Sequence, residues 1–247
     1  MLSSREIWEK WGGVAESKAK LPAGKCFLMA VLAGLYIALG AVGFTVIQAN
    51  MEGGMAKLLG ACVFPAGLML VVLAGAELFT GNCLMAGQAA AGKVKWTGVL
   101  RNWGFVYLGN MAGALLMALI VYFSGFLQGD LGRTAARIAE NKCALPFFQA
   151  LFRGVACNIL VCGAVWMATG AKSAGGKAAC CFFPVMLFVL CGFEHSVANM
   201  YYVPAGMLAG ADQSVGQYLM GNLLPVTLGN ILGGAGLSLG YLGIHHE

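Results

Sequence analysis

Apolar residues are gathered into six stretches of this chain, at residues 26–48, 58–91, 100–123, 147–169, 178–208 and 218–242. Each is long enough to cross the ~30 Å hydrocarbon core of a bilayer, which takes about 20 residues of α-helix. Six transmembrane helices are therefore predicted. The second and fifth runs are too long for one simple helix, and each carries a polar string near its middle, GAELFTGN at residues 75–82 and GFEHSVAN at residues 192–199. Helices broken near mid-membrane are expected at both places. Non-helical backbone at that depth survives only where it is buried in protein or faces a water-filled cavity, so the breaks belong inside the bundle.

The two strings share the pattern Gly-x-Glu-x-x-x-x-Asn. A carboxylate, an amide, a hydroxyl and an imidazole at bilayer depth cost several kcal/mol each unless they pair or line a wet path, which makes the cluster a transport-site hypothesis. The duplication extends further. NWGFVYLGNMAGA at residues 102–114 aligns with NLLPVTLGNILGG at residues 222–234, pairing Asn102 with Asn222 and Asn110 with Asn230. LYIALGAVG at residues 35–43 aligns more weakly with NILVCGAVW at residues 158–166. The chain thus divides into halves of three spans each, about 26–125 and 147–243, joined by an outside loop. An odd number of crossings makes the second half enter from the opposite side, which is the inverted-repeat arrangement with its substrate site near the midplane at discontinuous helices. The predicted fold is all-α: two inverted three-helix repeats in one channel domain, residues 26–247, preceded by an amphipathic segment, residues 1–25. Small-residue stretches such as GNILGGAGLSLG let these spans pack closely.

Composition agrees with a polytopic membrane protein: 60% of residues are hydrophobic and 10% charged, against roughly 25% charged in soluble domains. Charge sets the orientation. With the N-terminus inside, Arg5, Lys10, Lys18, Lys20, Lys25, Lys93, Lys95, Arg101, Lys172 and Lys177 lie on the inside and only Lys57, Arg133, Arg137 and Lys142 outside, so both termini are expected in the cytoplasm. The net charge of +5 accompanies this topology and calls for no nucleic-acid partner. The first twenty residues interleave charge with Ile7, Trp8 and Trp11 and lack the apolar core of a signal peptide; an amphipathic helix at the membrane interface is expected. The nine cysteines show neither CxxC nor zinc-ligand spacing and read as small apolar fillers. No metal and no cofactor is implied.

Among polar residues, His195 stands out as the one histidine away from the C-terminus. Imidazole titrates near neutral pH, so it can bind an anion and hand it a proton. Thr80, matching Val197 in the second string, offers a hydroxyl to a carboxylate or nitrite oxygen, or to carbonyls freed by the break. Glu77 and Glu194 would repel an anionic cargo, and read as orienters of neighbours such as Asn82 and Asn199. Asn110, Asn158, Asn222 and Asn230 read as interhelical hydrogen-bond glue. Arg153, inside the fourth span, has no evident partner in the sequence. His245 and His246 are expected to be solvated.

With AELFTGN at residues 76–82, GFEHSVANM at residues 192–200 and PVTLGNILGG at residues 225–234 in the family's order and spacing, nearly the whole chain resembles the formate/nitrite transporter family. The resemblance implies a homopentamer of six-span protomers with an aquaporin-like fold and a pore in each. It implies that His195 is the central pore histidine and Thr80 its partner. It places constrictions at Phe64, Leu68, Leu78 and Phe188, and a polar network of Lys142, Glu194, Asn199 and Asn158 around the histidine.

A mechanism follows from those assignments. Stripping a small anion of water in a slit of Phe and Leu costs on the order of 20 kcal/mol by the idealised Born estimate and several after relaxation. Passing as the neutral acid avoids most of this, with His195 lending a proton between the constrictions, Thr80 stabilising the exchange, and the proton recovered on exit. The core is shared by formate, nitrite and hydrosulfide members; MYYVPAGM at residues 200–207 and the Pro225-Val-Thr start of the sixth span favour formate. Two other classes stand beside this one. A neutral-solute pore would conduct irrespective of anion and pH gradient, and an intramembrane enzyme would need a nucleophile and base or a metal set, whereas Ser196 beside His195 points to another face of a helix.

Overall fold

The computed structural model describes residues 1–245, among which every regular element is helical. In chain order these are α1 (Ser4–Lys20), α2 (Ala23–Asn50), α3 (Gly53–Val63), α4 (Ala66–Ala74), α5 (Phe79–Asn82), α6 (Met85–Ala90), α7 (Trp96–Phe123), α8 (Gly129–Cys143), α9 (Phe147–Gly170), α10 (Ala174–Cys191) and α11 (Ser196–Leu208). A π-helical turn, Gln217–Leu223, then leads into α12 (Leu224–His245). Six segments are long and apolar enough to cross a bilayer: Ala23–Asn50, Gly53–Ala74, Trp96–Phe123, Phe147–Gly170, Ala174–Cys191 and Gln217–His245. The protein is a multi-pass integral membrane protein.

The second apolar run is divided more finely than its polar string foretells. Pro65 has no N–H to donate, so α3 ends at Val63 and α4 restarts at Ala66, one residue past the proline. In α10, Pro184 sits inside a helix that continues around it. That helix starts at Ala174, before the apolar run begins, because the Ser173 hydroxyl caps it by accepting the Gly176 N–H at 3.1 Å.

Close packing runs along two helix pairs, α2 with α7 and α9 with α12. A Cβ added to Gly113 would stand 2.9 Å from the Val31 carbonyl carbon, and one added to Gly233 would stand 3.0 Å from that of Val155. Only glycine lets the backbones meet this closely.

The N-terminal segment departs from expectation. It forms α1, opened by a capping box in which Ser3 Oγ accepts the Glu6 N–H at 3.3 Å and Glu6 accepts the Ser3 N–H at 2.6 Å. These bonds from Ser3 hold the Glu6 carboxyl below its usual range. The helix does not lie free at a lipid interface: Ile7, Trp8, Trp11 and Ala15 are buried in the protein core. Leu2 donates its N–H to Gly170 at 2.9 Å, Lys10 reaches the Thr169 carbonyl at 3.0 Å, and Gln88 bonds the Trp8 carbonyl at 3.2 Å. An apolar stripe looks the same in sequence whether lipid or protein covers it. His245, expected to be solvated, is instead half-buried, stacked on Tyr241 and 2.8 Å from Ser4 Oγ. His246 lies outside the described residues.

Candidate functional site

The site is built by two chain breaks of matching form. α4 ends at Gly75 (φ 79°) and α10 at Gly192 (φ 71°), in the left-handed region that glycine enters without steric cost. Three residues then run without helix, and the chain re-enters helix through N-caps of almost identical backbone, Leu78 (φ −111°, ψ 123°) and His195 (φ −113°, ψ 114°). His195 and Leu78 thus occupy the same place in the two breaks.

Backbone groups freed by the breaks must find partners, and both halves find them in the same way. Glu77 donates its N–H to the Met29 carbonyl and Glu194 to that of Arg153, each at 3.2 Å. Asn110 Oδ1 accepts the Phe79 N–H at 2.9 Å while its amide donates to the carbonyls of Ala30 (2.8 Å) and Glu77 (2.9 Å). Asn230 repeats this with the Ser196 N–H (2.8 Å) and the carbonyls of Gly154 (2.8 Å) and Glu194 (2.9 Å). Since Met29 and Ala30 act as Arg153 and Gly154 do, Gly34 is the counterpart of Asn158. The weak alignment of Leu35 with Asn158 is therefore out by one residue. The Arg153 side chain itself is exposed.

The two carboxylates are each held in a four-residue ring. Lys142 donates to both Glu194 oxygens at 3.0 Å; Asn199 donates to Glu194 at 2.6 Å and to Asn222 Oδ1 at 2.8 Å; Asn222 closes on the Lys142 carbonyl at 2.9 Å. The first half builds its double: Lys18 to Glu77 at 2.6 Å, Asn82 to Glu77 at 2.7 Å and to Asn102 at 2.9 Å, and Asn102 to the Lys18 carbonyl at 3.2 Å. Lys18 was missed as a site residue, counted only among charges that orient the chain. The signal was there in its pairing with Lys142, both lying in the last turn of the amphipathic helix that precedes each set of three spans. Of the polar network expected around the histidine, Asn158 joins through Thr80 and not through the Glu194 ring: its amide donates to the Thr80 carbonyl at 3.2 Å and the Asn230 carbonyl at 2.6 Å. Cys162 Sγ also lies 3.2 Å from the Thr80 carbonyl, so Thr80 is fixed from below by a thiol as well as an amide.

His195 and Thr80 meet across the halves, Nε2 to Oγ1 at 2.8 Å. His195 Nδ1 accepts the Ala198 N–H at 3.1 Å, capping α11. This network assigns the imidazole proton to Nε2, donated to Thr80, and leaves the Thr80 hydroxyl hydrogen available elsewhere. Ser196 Oγ has no hydrogen-bond partner in the described structure, so no serine–histidine pair is formed.

Around His195 lies a chamber of about 10 Å³ lined by Ile37, Phe64, Leu68, Leu78, Val161, Val185, Phe188 and His195. It is about the size of a single water molecule. The constriction residues Phe64, Leu68, Leu78 and Phe188 thus come together, joined by Ile37, Val161 and Val185, which an all-apolar span does not single out. A vestibule of about 100 Å³ on one side takes in Lys142, Glu194, Tyr202, Phe44, Phe64, Phe188 and His195. On the other side a vestibule of about 250 Å³ is lined by Trp11, Lys18, Glu77, Leu78 and Asn82 among others. Phe64, Phe188 and His195 border both the chamber and the Lys142 vestibule; Leu78 borders the chamber and the Lys18 vestibule. Thr80 is fully buried and reaches the chamber only through His195. Two larger grooves, of about 480 and 740 Å³, lie among charged helix ends and share no residue with the chamber.

Comparison with known proteins finds a family, its members and solved structures to which the chain is similar. The sequence model of the formate/nitrite transporter family matches residues 5–242. The chain is 38% identical to the formate channel FocA of Haemophilus influenzae, over 90% of this chain and 88% of that one. Among solved structures it resembles a pentameric formate channel with formate bound (TM-score 0.83, 38% identity, 91% of this chain and 98% of that one). It also resembles an FNT family ion channel (TM-score 0.90, 28% identity, 97% and 98%).

Proposed function

Because the chain belongs to the formate/nitrite transporter family, whose members are channels and not enzymes, we propose that it is a homopentameric formate channel in which His195 couples passage to a proton. One observation carries the reading: His195 is the single polar side chain lining a chamber otherwise made of Ile, Leu, Val and Phe, between two lysine-bearing vestibules. Formate is preferred over nitrite or hydrosulfide because two of the relatives named above, the Haemophilus influenzae FocA and the pentameric channel with formate bound, are formate channels.

The lysine in each vestibule draws a small anion inward, while its glutamate partner keeps that attraction from becoming a trap. Beyond Phe64 and Phe188 the bare anion would forfeit its hydration for apolar walls, a loss of several kcal/mol even after relaxation. The resting ring is neutral, since Nδ1 is engaged as an acceptor by Ala198. As formate arrives, the ring turns from Ala198, takes a proton from vestibule water, and passes a proton to the carboxylate. Neutral formic acid crosses the chamber, the imidazole returns to its cap, and the acid gives its proton to water in the far vestibule. Thr80 holds Nε2 in place throughout, and Asn158 and Cys162 hold Thr80. The matched rings support an inverted pair of halves about an axis in the membrane plane. They also support counting α1 with the channel domain. The excess of Lys and Arg in the segments on the N-terminal side supports termini that face the cytoplasm.

The test is uptake of formate, nitrite, hydrosulfide, acetate and lactate into proteoliposomes at a fixed inward proton gradient. Formate is expected to enter fastest. Faster entry of nitrite or hydrosulfide would replace formate as the substrate, and equal entry of uncharged solutes would replace the anion channel with a neutral pore.

A further inference from the structure

An unbroken aromatic stack connects Lys142 to His195. Lys142 Nζ lies 5.1 Å from the centroid of the Tyr202 ring. Tyr202 is stacked on Phe64 (centroids 6.5 Å, interplanar angle 16°) and meets Phe44 edge-on (6.0 Å, 78°). Phe64 in turn meets Phe188 edge-on (5.7 Å, 80°), and Phe188 is stacked on His195 (5.8 Å, 24°). Phe64 borders both the vestibule and the chamber, as Phe188 and His195 do, yet nothing polar holds its ring; its position depends on what lies against its faces. One flank is Phe188, the other is Tyr202, and Tyr202 is itself pinned by the Lys142 ammonium, which the two Glu194 oxygens fix in place. Aromatic contacts and a desolvated cation over a ring each contribute about 0.5–2 kcal/mol, enough together to keep one rotamer dominant.

From this we propose that Tyr202 is a positioning residue that sets the size limit of the channel. Through its ring face it braces Phe64 and so holds the slit to a width that favours formic acid over larger carboxylic acids. The ring does this, not the hydroxyl, since both the Phe64 stack and the Lys142 contact are made by the ring. A consequence is that the polar ring around Glu194 serves two ends. By fixing Lys142 it also fixes Tyr202, so selectivity is tied to the same ion pair that attracts the anion. The proposal rests on the reading that formate passes.

Its test compares uptake of formate, acetate and lactate by proteoliposomes bearing the wild-type protein, Tyr202→Phe, Tyr202→Leu and Tyr202→Met, each checked for unchanged helical circular dichroism and oligomer size. Tyr202→Phe is expected to retain the wild-type acetate-to-formate ratio. Tyr202→Leu is expected to raise it by about tenfold, the lower end of what a methyl group is worth in an apolar slot, while formate uptake itself persists. Should the leucine variant fail to assemble, the unbranched and adaptable methionine fills the space and is expected to shift the ratio in the same direction. A wild-type ratio in the assembled leucine or methionine variant would overturn the role of Tyr202, as would a Tyr202→Phe shift equal to theirs. Absence of formate uptake by the wild-type protein would instead overturn the channel reading on which the proposal stands.

Discussion

At the scale of single residues, the chemistry lies in what differs between two otherwise equal halves. Glu77 and Glu194, Asn82 and Asn199, Asn102 and Asn222, and Lys18 and Lys142 form the same ring of partners twice, with Lys142 donating to both oxygens of its glutamate where Lys18 donates to one. Leu78 against His195 and Thr80 against Val197 do not repeat, and His195 and Thr80 are the pair that meets. The Lys18–Glu77 bond is nearly dry, with side chains 18% and 5% exposed. Replacing Lys18 by Met would strand the Glu77 carboxylate, a loss of about 3–5 kcal/mol for a buried pair broken on one side. A thermal melt in detergent is expected to fall for Lys18→Met and to recover much of the loss in Lys18→Met with Glu77→Gln; equal melting of the single variant and wild type would mean that the pair is not structural. His195 and Thr80 were legible in the sequence because polar groups in apolar runs announce themselves. Lys18 was not, since a lysine in a charged segment looks like a topology signal, and Tyr202 was not, since a tyrosine in a span looks like filler.

At the scale of elements, two glycines decide where the spans stop. Gly75 and Gly192 take positive φ, and the residues after them carry the carboxylates. An alanine at either position costs roughly 1–2 kcal/mol for the left-handed conformation. Gly192→Ala is expected to lower the melting temperature and also slow formate uptake, because its strain falls three residues before His195, whereas Gly75→Ala is expected to lower the melting temperature with the smaller effect on uptake. Equal uptake losses would argue that the two breaks are functionally alike. Polar strings and span length made both breaks readable in advance. The division at Pro65 escaped because it lies in an unbroken apolar run, and the docking of α1 escaped because an amphipathic helix does not declare what covers its apolar face. The off-by-one alignment of the first and fourth spans has a like cause: runs of small apolar residues match at several registers, and only the hydrogen bonds from Glu77 and Glu194 fix which one is built.

At the scale of the whole molecule, the carboxylates, asparagines and histidine of the two breaks are buried among the spans, and large apolar side chains cover the flanks. Leu28, Leu108, Phe148, Phe152 and Met220 stand exposed on the flanks of the spans, as surfaces facing hydrocarbon require. The Lys–Glu–Asn–Asn rings hold the two vestibules, and between them sits an apolar chamber with room for about one water and one polar group in its wall. On the function proposed above, that arrangement favours a small weak acid in neutral form over the same molecule as an ion, the chamber walls being apolar but for His195. The measurement closest to this claim is the initial rate of formate uptake by proteoliposomes across a series of external pH values, for the wild-type protein and for His195→Phe. The account predicts that wild-type uptake rises as external pH falls and that the variant loses this dependence along with most of its rate. A variant that carries formate at the wild-type rate with the same pH dependence would contradict it.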